Sequence, residues 1–261
     1  MITINFKSIQ IPVLASGKGW LAVDKPAGLT VHNETGKDLC TLARNYIQKK
    51  PNIFKHISLD TDFGIHPVHR LDKETSGVLL LAANREIFRF FSKQFESRSV
   101  KKRYIAIVHG PLATYKTDAQ SETDNVWKTW QWPLAKDSGG RKNPVGSGKK
   151  QPCETRYRVM DQSAHYTMVE IELLTGRKHQ IRRHAKLARH PVVGDSRYGS
   201  IRAVNFLKTN CNFNHLGLHA RSLTFHLPEE QEPQMVETLE LPVQMRKLFE
   251  NDKNIYCPNE N

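Results

Sequence analysis

The sequence has few cysteines, no long apolar run and fewer acids than bases. Its four cysteines form no CxxC pair, which argues against a zinc ribbon or a redox dithiol. The longest apolar stretch, 77–83, is far shorter than the ~20 residues needed to cross a bilayer. The first ten residues also lack the basic-then-apolar order of a signal peptide. We therefore expect a cytoplasmic protein with no membrane partner.

Charge is unevenly distributed along the chain. The 261 residues include 39 Lys and Arg against 26 Asp and Glu, a formal net charge of +13. The stretch 177–208 holds nine bases and a single acid, Asp195, whereas 229–261 holds eight acids and three bases. A basic body of this kind attracts polyanions, because each neutralised phosphate releases counterions. A solvated basic face without a partner would give the same composition, so charge alone leaves both possibilities open.

Short β-like runs alternate with a few amphipathic segments, and no internal repeat is found. The clearest strand is 166–173, where apolar and polar residues alternate with period two. The other predicted strands are 20–23, 77–83, 103–108, 155–160 and 218–225. Helices are predicted around 39–47, 87–95 (with Asn84 as N-cap) and 179–190. This pattern indicates an α+β fold with a mixed, mostly antiparallel sheet and flanking helices.

Two basic segments are expected to face solvent. In the predicted helix at 179–190, the narrow apolar stripe turns Arg183 and Lys186 outward. The stretch 137–150 is rich in Gly, Ser, Pro and Lys and has no hydrophobic periodicity. It is therefore predicted to be an exposed loop that stays mobile until an anionic partner orders it.

The segment 66–77, HPVHRLDKETSG, leads directly into the apolar run VLLLAA. Arg70 lies two residues before Asp72, in a polar turn at the rim of a predicted core. A carboxylate placed in this way can stay ionised although it is partly desolvated. The same residue types are also common in ordinary turns, so the pattern alone does not establish catalysis.

A metal site is the competing interpretation of this segment. His66, His69 and Asp72 follow one another at intervals of three residues, which is conceivable for a metal-dependent hydrolase or nuclease. However, no HExxH or other tightly spaced ligand set is present, and a divalent cation beside so much arginine is electrostatically unfavourable. We expect no bound metal.

Several motifs, in the same order along the chain, carry a resemblance to one family. They are VDKPAGLTVH (23–32), HRLDKETSGVLLLA (69–82), KRYIAIVHG (102–110), TGRKHQIRRH (175–184), HPVVGDSRYG (190–199) and LHARSLTF (218–225). Together they resemble the RluA-type pseudouridine synthases, which isomerise uridine to pseudouridine in ribosomal or transfer RNA. The resemblance implies a catalytic domain over 1–228, matched from about residue 20 with no room for an N-terminal S4-type domain. An acidic C-terminal tail follows at 229–261.

The resemblance assigns three catalytic residues. Asp72 is implied as the carboxylate at the sugar, either attacking C1′ or removing a proton from C2′. Arg182 is implied as the cation beside it, and Tyr104 as a residue that stacks on the uracil or donates its hydroxyl. The isomerisation needs no cofactor, which agrees with the absence of GxxxxGK[ST] and GxGxxG motifs.

The resemblance also implies a set of RNA contacts. His69 orients the turn, Arg70 inserts at the position left by a flipped base, and Ile181 packs under the uracil. Further substrate contacts are implied for Arg177, His179 and Gln180. Arg177, Lys178 and the basic residues of 137–150 would follow the phosphodiester backbone, although Lys178 departs from the Thr or Ser usual in the family. Trp127, Trp130 and Trp132 could stack on bases, but their spacing favours a strand that packs into the core.

The sequence thus predicts an RNA pseudouridine synthase, with a monomer as the default. A catalytically silent RNA-binding or ribosome-assembly protein on the same fold is the alternative. The intact HRLD context of Asp72 favours the enzyme. Which RNA and which uridine are modified depends on RNA shape and loop conformation, and the sequence does not determine it.

Overall fold

A computed structural model of the chain describes residues 2–34, 36–112 and 126–256. The strands in these ranges are β1 (Thr3–Phe6), β2 (Ile9–Gly17), β3 (Trp20–Lys25), β4 (His66–Pro67), β5 (Ser76–Ala82), β6 (Lys101–His109), β7 (Lys128–Trp130), β8 (Leu134–Ala135), β9 (Lys150–Gln151), β10 (Thr155–Gln162), β11 (Tyr166–Leu173), β12 (Leu218–Phe225) and β13 (Gln234–Glu237). The α-helices are α1 (Leu39–Lys49), α2 (Pro51–Phe54), α3 (Arg85–Glu96), α4 (Gln180–Leu187), α5 (Ile201–Asn210) and α6 (Val243–Tyr256). None of the helices in these ranges has the length and apolar character needed to span a membrane.

The predicted elements are confirmed. The six predicted strands are β3, β5, β6, β10, β11 and β12, and the last two have the expected bounds. The helix around 87–95 is α3, and the side chain of Asn84 caps it by accepting a hydrogen bond from the Ile87 backbone N–H at 2.8 Å. The pairings within the sheet are predominantly antiparallel, so the α+β class is also confirmed.

The chain divides into two compact units. The first spans Met1–Lys102 and Ala220–Glu240, and the second spans Arg103–His219 and Leu241–Asn261. In the first unit the antiparallel strand order is β1, β2, β3, β5, with β4 also paired to β5 and β13 paired to β12. Its core is built on three aromatic rings, Trp20, Phe91 and Phe225, which pack edge to face at 5.3–6.4 Å.

The second unit is built on the antiparallel strand order β6, β11, β10, β7. Register places Tyr104, Ile171 and Tyr157 side by side on one face of this sheet, because successive side chains alternate between faces. Helix α4 covers this face, since the side chains of Gln180 and His184 hydrogen-bond to Thr155. We call it the α4 face.

Helices α5 and α6 cover part of the opposite face of the same sheet. Ile107 on β6 packs there with Leu207 of α5 and with Met245, Leu248 and Phe249 of α6. Asp252 of α6 accepts hydrogen bonds from the Ser163 hydroxyl at 2.5 Å and from the His165 backbone N–H at 2.8 Å. The described part of the acidic C-terminal segment is therefore structured, with β13 in the first unit and α6 in the second.

Gly77 fixes the path of the chain as it enters β5. Its φ is +113°, and a Cβ at this position would overlap the backbone carbonyl of Ala220. Gly28 also has a positive φ, +85°, but a Cβ there would meet open space. Both positions therefore favour glycine for conformational reasons, and only Gly77 requires it for space as well.

We predict that Gly77→Ala lowers the free energy of unfolding by more than about 2 kcal/mol, because backbone strain and a backbone clash add. Gly28→Ala is the matched control and should cost only about 1 kcal/mol, since it carries the strain alone. Urea unfolding of both variants measures the difference. Equal losses would show that the close approach to Ala220 has no energetic consequence.

Candidate active site

The turn between β4 and β5 carries Asp72 at the edge of the first unit's core. Asp72 is half-buried, whereas Thr75 and Ser76 behind it are buried and Lys73 and Glu74 are exposed. The Thr75 N–H donates to the Asp72 carbonyl at 3.1 Å, which closes the turn. The carboxylate thus lies where a buried strand meets solvent, as the sequence predicted.

Lys25, at the end of β3, anchors this turn from below. It is fully buried, and its ammonium donates to the backbone carbonyls of Pro26 (2.9 Å), Leu29 (2.8 Å) and Lys73 (3.1 Å). Burial lowers the pKa of Lys25 to about 8, although the nearby acids Glu74, Asp72 and Asp24 oppose this shift. The ammonium therefore remains mostly charged at neutral pH. The Lys25 ammonium thus links the carbonyl of Lys73, the residue after Asp72, to the carbonyls of Pro26 and Leu29.

His69 supports the same turn from the side. Its Nε2 accepts a hydrogen bond from the Leu80 N–H at 3.0 Å, and its ring stacks on Phe95 at 4.7 Å. Burial, with a smaller contribution from Lys102, lowers the pKa of His69 to about 3. The imidazole is therefore neutral, with its proton on Nδ1. This geometry is compatible with the predicted role of His69 in orienting the turn. The neighbouring Arg70 is exposed.

The His66, His69 and Asp72 set has no metal-binding geometry in the structure. His66 Nε2 lies 2.8 Å from the Phe63 carbonyl oxygen, and His69 Nε2 is occupied by the Leu80 N–H. Across the described residues, no group of three or more His, Cys, Asp or Glu side chains is arranged to hold a metal ion.

In the second unit, Arg182 is fixed by a buried ion pair with Asp195. Its Nε and Nη2 donate to the two carboxylate oxygens at 2.7 and 2.9 Å, and the two side chains are 2% and 0% exposed. The guanidinium also lies 5.4 Å from the centroid of the Tyr198 ring. Asp195 in turn accepts hydrogen bonds from the Arg197 and Tyr198 backbone N–H groups at 2.9 and 3.0 Å. Such a two-pronged pair holds the plane of the guanidinium in one orientation.

The residues before Arg182 form the start of α4. Gln180 is buried, and its amide bonds to Thr175, Thr155 and backbone groups at 2.8–3.0 Å. Ile181 is also buried, at 4% exposure. His179 has a left-handed backbone, and its Nδ1 lies 2.9 Å from the Tyr198 hydroxyl. Arg177 is half-buried, and its Nε has no hydrogen-bond partner in the described part of the chain.

The predicted outward orientation of Arg183 is wrong. This side chain is fully buried, and its guanidinium donates to the carbonyls of Pro144 (2.5 Å), Val145 and Ala135 (3.1 Å). A buried guanidinium is tolerated here because several carbonyls satisfy its donors. Lys186 is partly exposed.

The structure also corrects the prediction of an unanchored loop at 137–150. In addition to Arg183, the Arg197 side chain donates to the Ser138 hydroxyl and the Gly139 carbonyl, and the Tyr198 hydroxyl donates to the Ser138 carbonyl at 2.5 Å. Arg141, expected to follow phosphates, donates instead to the carbonyls of Ser196 (2.9 Å) and Gly199. Lys142, Lys149 and Lys150 are exposed.

Aromatic side chains lie on both faces of the second unit's sheet. On the α4 face, Tyr104 is 7% exposed and Trp130 stacks on Tyr157 at 4.3 Å, so Trp130 is a core residue. Trp127 is surrounded by the guanidinium groups of Arg103, Arg156 and Arg158, each 5.3–5.9 Å from its ring. Trp132 is 40% exposed. The core prediction therefore holds for Trp130 and not for Trp132.

The structure groups the predicted site residues by unit. Asp72, His69 and Arg70 belong to the first unit, with Lys25 beneath them. The residues of the second unit are Tyr104, Arg177, His179, Gln180, Ile181 and Arg182. The predicted approach of Arg182 to Asp72 stays a prediction.

Comparison with known proteins decides the family. Residues 19–187 match the model of the RNA pseudouridylate synthase family, a range that includes Asp72, Tyr104 and Arg182. The chain belongs to this family. It is accordingly a pseudouridine synthase, an isomerase, and the resemblance to RluA-type enzymes is confirmed.

Two curated relatives illustrate the match. The chain is 32% identical to tRNA pseudouridine synthase C of Haemophilus ducreyi, over 92% of this chain and 95% of the relative. It is 34% identical to ribosomal large subunit pseudouridine synthase C of Buchnera aphidicola, over 88% of this chain and 67% of the relative. Among solved structures, human RNA pseudouridylate synthase domain containing 1 has the same fold. Its TM-score is 0.65, with 22% identity over 91% of this chain and 87% of that one.

Sequence reasoning missed two charged residues that organise the site, Lys25 and Asp195. Lys25 lies two residues after the apolar run WLAV, and a lysine so close to a predicted buried strand was a signal that its ammonium needs partners. Asp195 is the one acid among the nine bases of 177–208. An isolated carboxylate in such a stretch is the natural partner of a buried arginine.

We predict that Lys25→Met lowers the free energy of unfolding by about 2–4 kcal/mol, because it leaves buried carbonyls without a donor. Lys73→Met is the control in the same turn. It removes an exposed ammonium whose ion pair with Glu34, at 3.4 Å, is open to solvent and adds little to stability. Urea unfolding compares them, and a Lys25→Met variant as stable as the control would contradict the anchoring role.

Acid should destabilise the protein through His69. An unfolded histidine binds a proton below a pKa of about 6.5, whereas His69 in the folded chain stays neutral down to about 3. The unfolded state therefore gains protons first as the pH falls. One such group lowers the free energy of unfolding by about 2–3 kcal/mol between pH 6.5 and 4.5. Urea unfolding of His69→Phe should show a weaker loss over this range, and an equally steep loss would exclude His69 as its source.

Proposed function

We propose that the enzyme isomerises a uridine of ribosomal or transfer RNA, with Asp72 as the carboxylate that acts at the ribose. The observation that carries this proposal is the half-buried position of Asp72 on a turn fixed by the buried Lys25, within the family-matched range. The relatives' names support the substrate class, since they refer to transfer RNA or to large-subunit ribosomal RNA.

The reaction conserves all atoms of the nucleotide. The bond from N1 of uracil to C1′ breaks, the base turns, and C5 bonds to C1′. The proton on C5 leaves and N1 gains one. Asp72 either attacks C1′ or takes a proton from C2′, and both routes need a charged carboxylate in a site that excludes water.

Arg182 is proposed as the cation that keeps this carboxylate charged. Its ion pair with Asp195 supports the proposal, because the fork of hydrogen bonds through Nε and Nη2 gives the guanidinium one orientation. Tyr104, on the α4 face of the sheet, is proposed to contact the uracil, and Ile181 to pack under it.

The target base must leave the RNA stack, at a cost of a few kcal/mol. Arg70 is proposed to occupy the position that the base vacates. Its exposure, two residues before Asp72, supports this role. A planar guanidinium can stack on the neighbouring bases and pair with phosphate as well.

The test uses RNA from cells that lack the gene, with uridines tritiated at C5. Each isomerisation releases the C5 tritium to water, so the label reports turnover directly. Wild-type enzyme should release tritium from transfer or ribosomal RNA, and mapping of the new pseudouridine identifies the RNA. Asp72→Asn should lower release by at least about 10³-fold, since the carboxylate acts in the bond-breaking step, while RNA affinity stays within a few-fold.

Glu74→Gln is the matched control, because it removes an exposed carboxylate from the same turn. It should keep near wild-type turnover. Full turnover by Asp72→Asn would remove Asp72 from the mechanism. A wild-type enzyme that binds RNA but never releases tritium would favour the silent RNA-binding protein.

A further inference from the structure

A pocket in the second unit lies apart from the residues assigned to the isomerisation. It has a volume of about 300 Å³. Its walls come from the end of β6, the start of β11 and the first two turns of α5, with His109, Tyr166, Ser200, Arg202 and Phe206 among the lining residues. We call it the α5 pocket. This volume is at the small end of the range for ligand sites, about 300–1,000 Å³.

The α5 pocket is distant from the α4 face. Tyr104 and His109 are five positions apart on β6, which corresponds to about 17 Å along a strand. An odd spacing also puts their side chains on opposite faces of the sheet. His109 is paired in register with Tyr166 on β11. The pocket is therefore separate from Tyr104 and from helix α4 with its Arg182.

Three polar groups of the pocket have no intramolecular partner within the described ranges. Ser200 is the N-cap residue of α5, yet its hydroxyl makes no capping hydrogen bond. The guanidinium of Arg202 is exposed and takes part in no ion pair with described residues. The ring nitrogens of His109 likewise bond to no described residue, and its ring packs against the Tyr166 ring with the centroids 5.6 Å apart. Each group can therefore bind a ligand without breaking an existing bond.

Aromatic surface surrounds these polar groups. Phe206 is 56% exposed, so its ring is free to stack on a ligand, whereas Tyr166 is buried and also lines the pocket. Burial raises the pKa of Tyr166 to about 12 and lowers the pKa of His109. Both rings are therefore neutral near pH 7, and Arg202 supplies the charge of the pocket.

We infer that the α5 pocket binds one unpaired nucleotide of the RNA substrate, with the base against Phe206 and a phosphate on Arg202. An aromatic wall, one cation and a few neutral hydrogen-bonding groups match the chemistry of a nucleotide. Helix α5 contains two bases and no acid, which favours an anionic ligand. This inference rests on the proposed function in one respect, namely that the substrate is RNA.

The experiment measures binding of a fluorescein-labelled single-stranded RNA octamer of mixed sequence by fluorescence anisotropy. Phe206→Ala and Arg202→Gln should each weaken binding about tenfold, as expected for loss of one stacked base or one phosphate contact. Two controls on the same helix do not line the pocket. Ile201→Ala removes another exposed apolar side chain, and Lys208→Gln removes another charge. Both should stay within twofold of wild type.

If the pocket variants and their controls weakened octamer binding equally, the inference would be overturned, because general charge or surface effects would then explain the loss of affinity. Unchanged binding by Phe206→Ala and Arg202→Gln would also overturn it. Displacement of the octamer by micromolar AMP would show a site for free nucleotides instead of RNA. Because Phe206 and Arg202 are exposed, urea unfolding should show all four variants to be as stable as wild type.

Tritium release separates this inference from the proposed function. With the RNA that the wild-type enzyme modifies, Phe206→Ala should raise KM about tenfold and leave kcat unchanged, since the pocket lies away from the reacting atoms. A wild-type enzyme without turnover would defeat the proposed function, whereas the octamer comparison would still test the pocket. A fall in kcat with an unchanged KM would contradict the inference.

Discussion

The turn that carries Asp72 depends on one buried ammonium group. Lys25 binds three carbonyl oxygens, and one of them belongs to Lys73, the residue after Asp72. A lysine is costly to bury, so its hydrogen bonds must be complete for the fold to tolerate it. That requirement restricts the backbone of the turn to one path. His69 restricts it from the side through the Leu80 N–H, and the backbone that carries Asp72 is therefore ordered before any substrate binds.

In the second unit, buried arginine side chains are likewise stabilised by hydrogen bonds that occupy their donors. The Arg182 guanidinium forms an ion pair with Asp195. The Arg183 guanidinium donates hydrogen bonds to the carbonyls of Ala135, Pro144 and Val145. Part of the basic charge in 177–208 is therefore structural, and the charge of this stretch is not a simple measure of RNA affinity. The positions that remain exposed, such as Arg202 at the α5 pocket, are the better candidates for phosphate contacts. Net charge attracts RNA to the protein, but burial decides which cations can touch it.

Much of the fold was predictable, because strands such as β11 alternate strictly and Asn84 is a strong cap. Strand β2 was missed because Pro12 interrupts its pattern, and a proline counts against a strand. In the site, Asp72 was found through its motif. The burial of Arg183 could not be predicted from its sequence. Helical periodicity indicates which side of α4 is apolar, but it does not show that the loop 137–150 packs over Arg183. The hydrogen bond between the Lys25 ammonium and the Lys73 carbonyl joins residues far apart in the sequence. No local sequence pattern predicts such a contact.

We propose that the carboxylate at position 72 acts at the ribose of a flipped uridine. The most direct measurement is a crystal structure of the Asp72→Asn enzyme with the RNA that the wild type modifies. We expect an extruded uridine whose C1′ or C2′ lies within about 3.5 Å of the residue 72 side chain, with the Arg182 guanidinium beside it. A uridine that remains stacked in the RNA, or a ribose facing another carboxylate, would exclude Asp72 from this role.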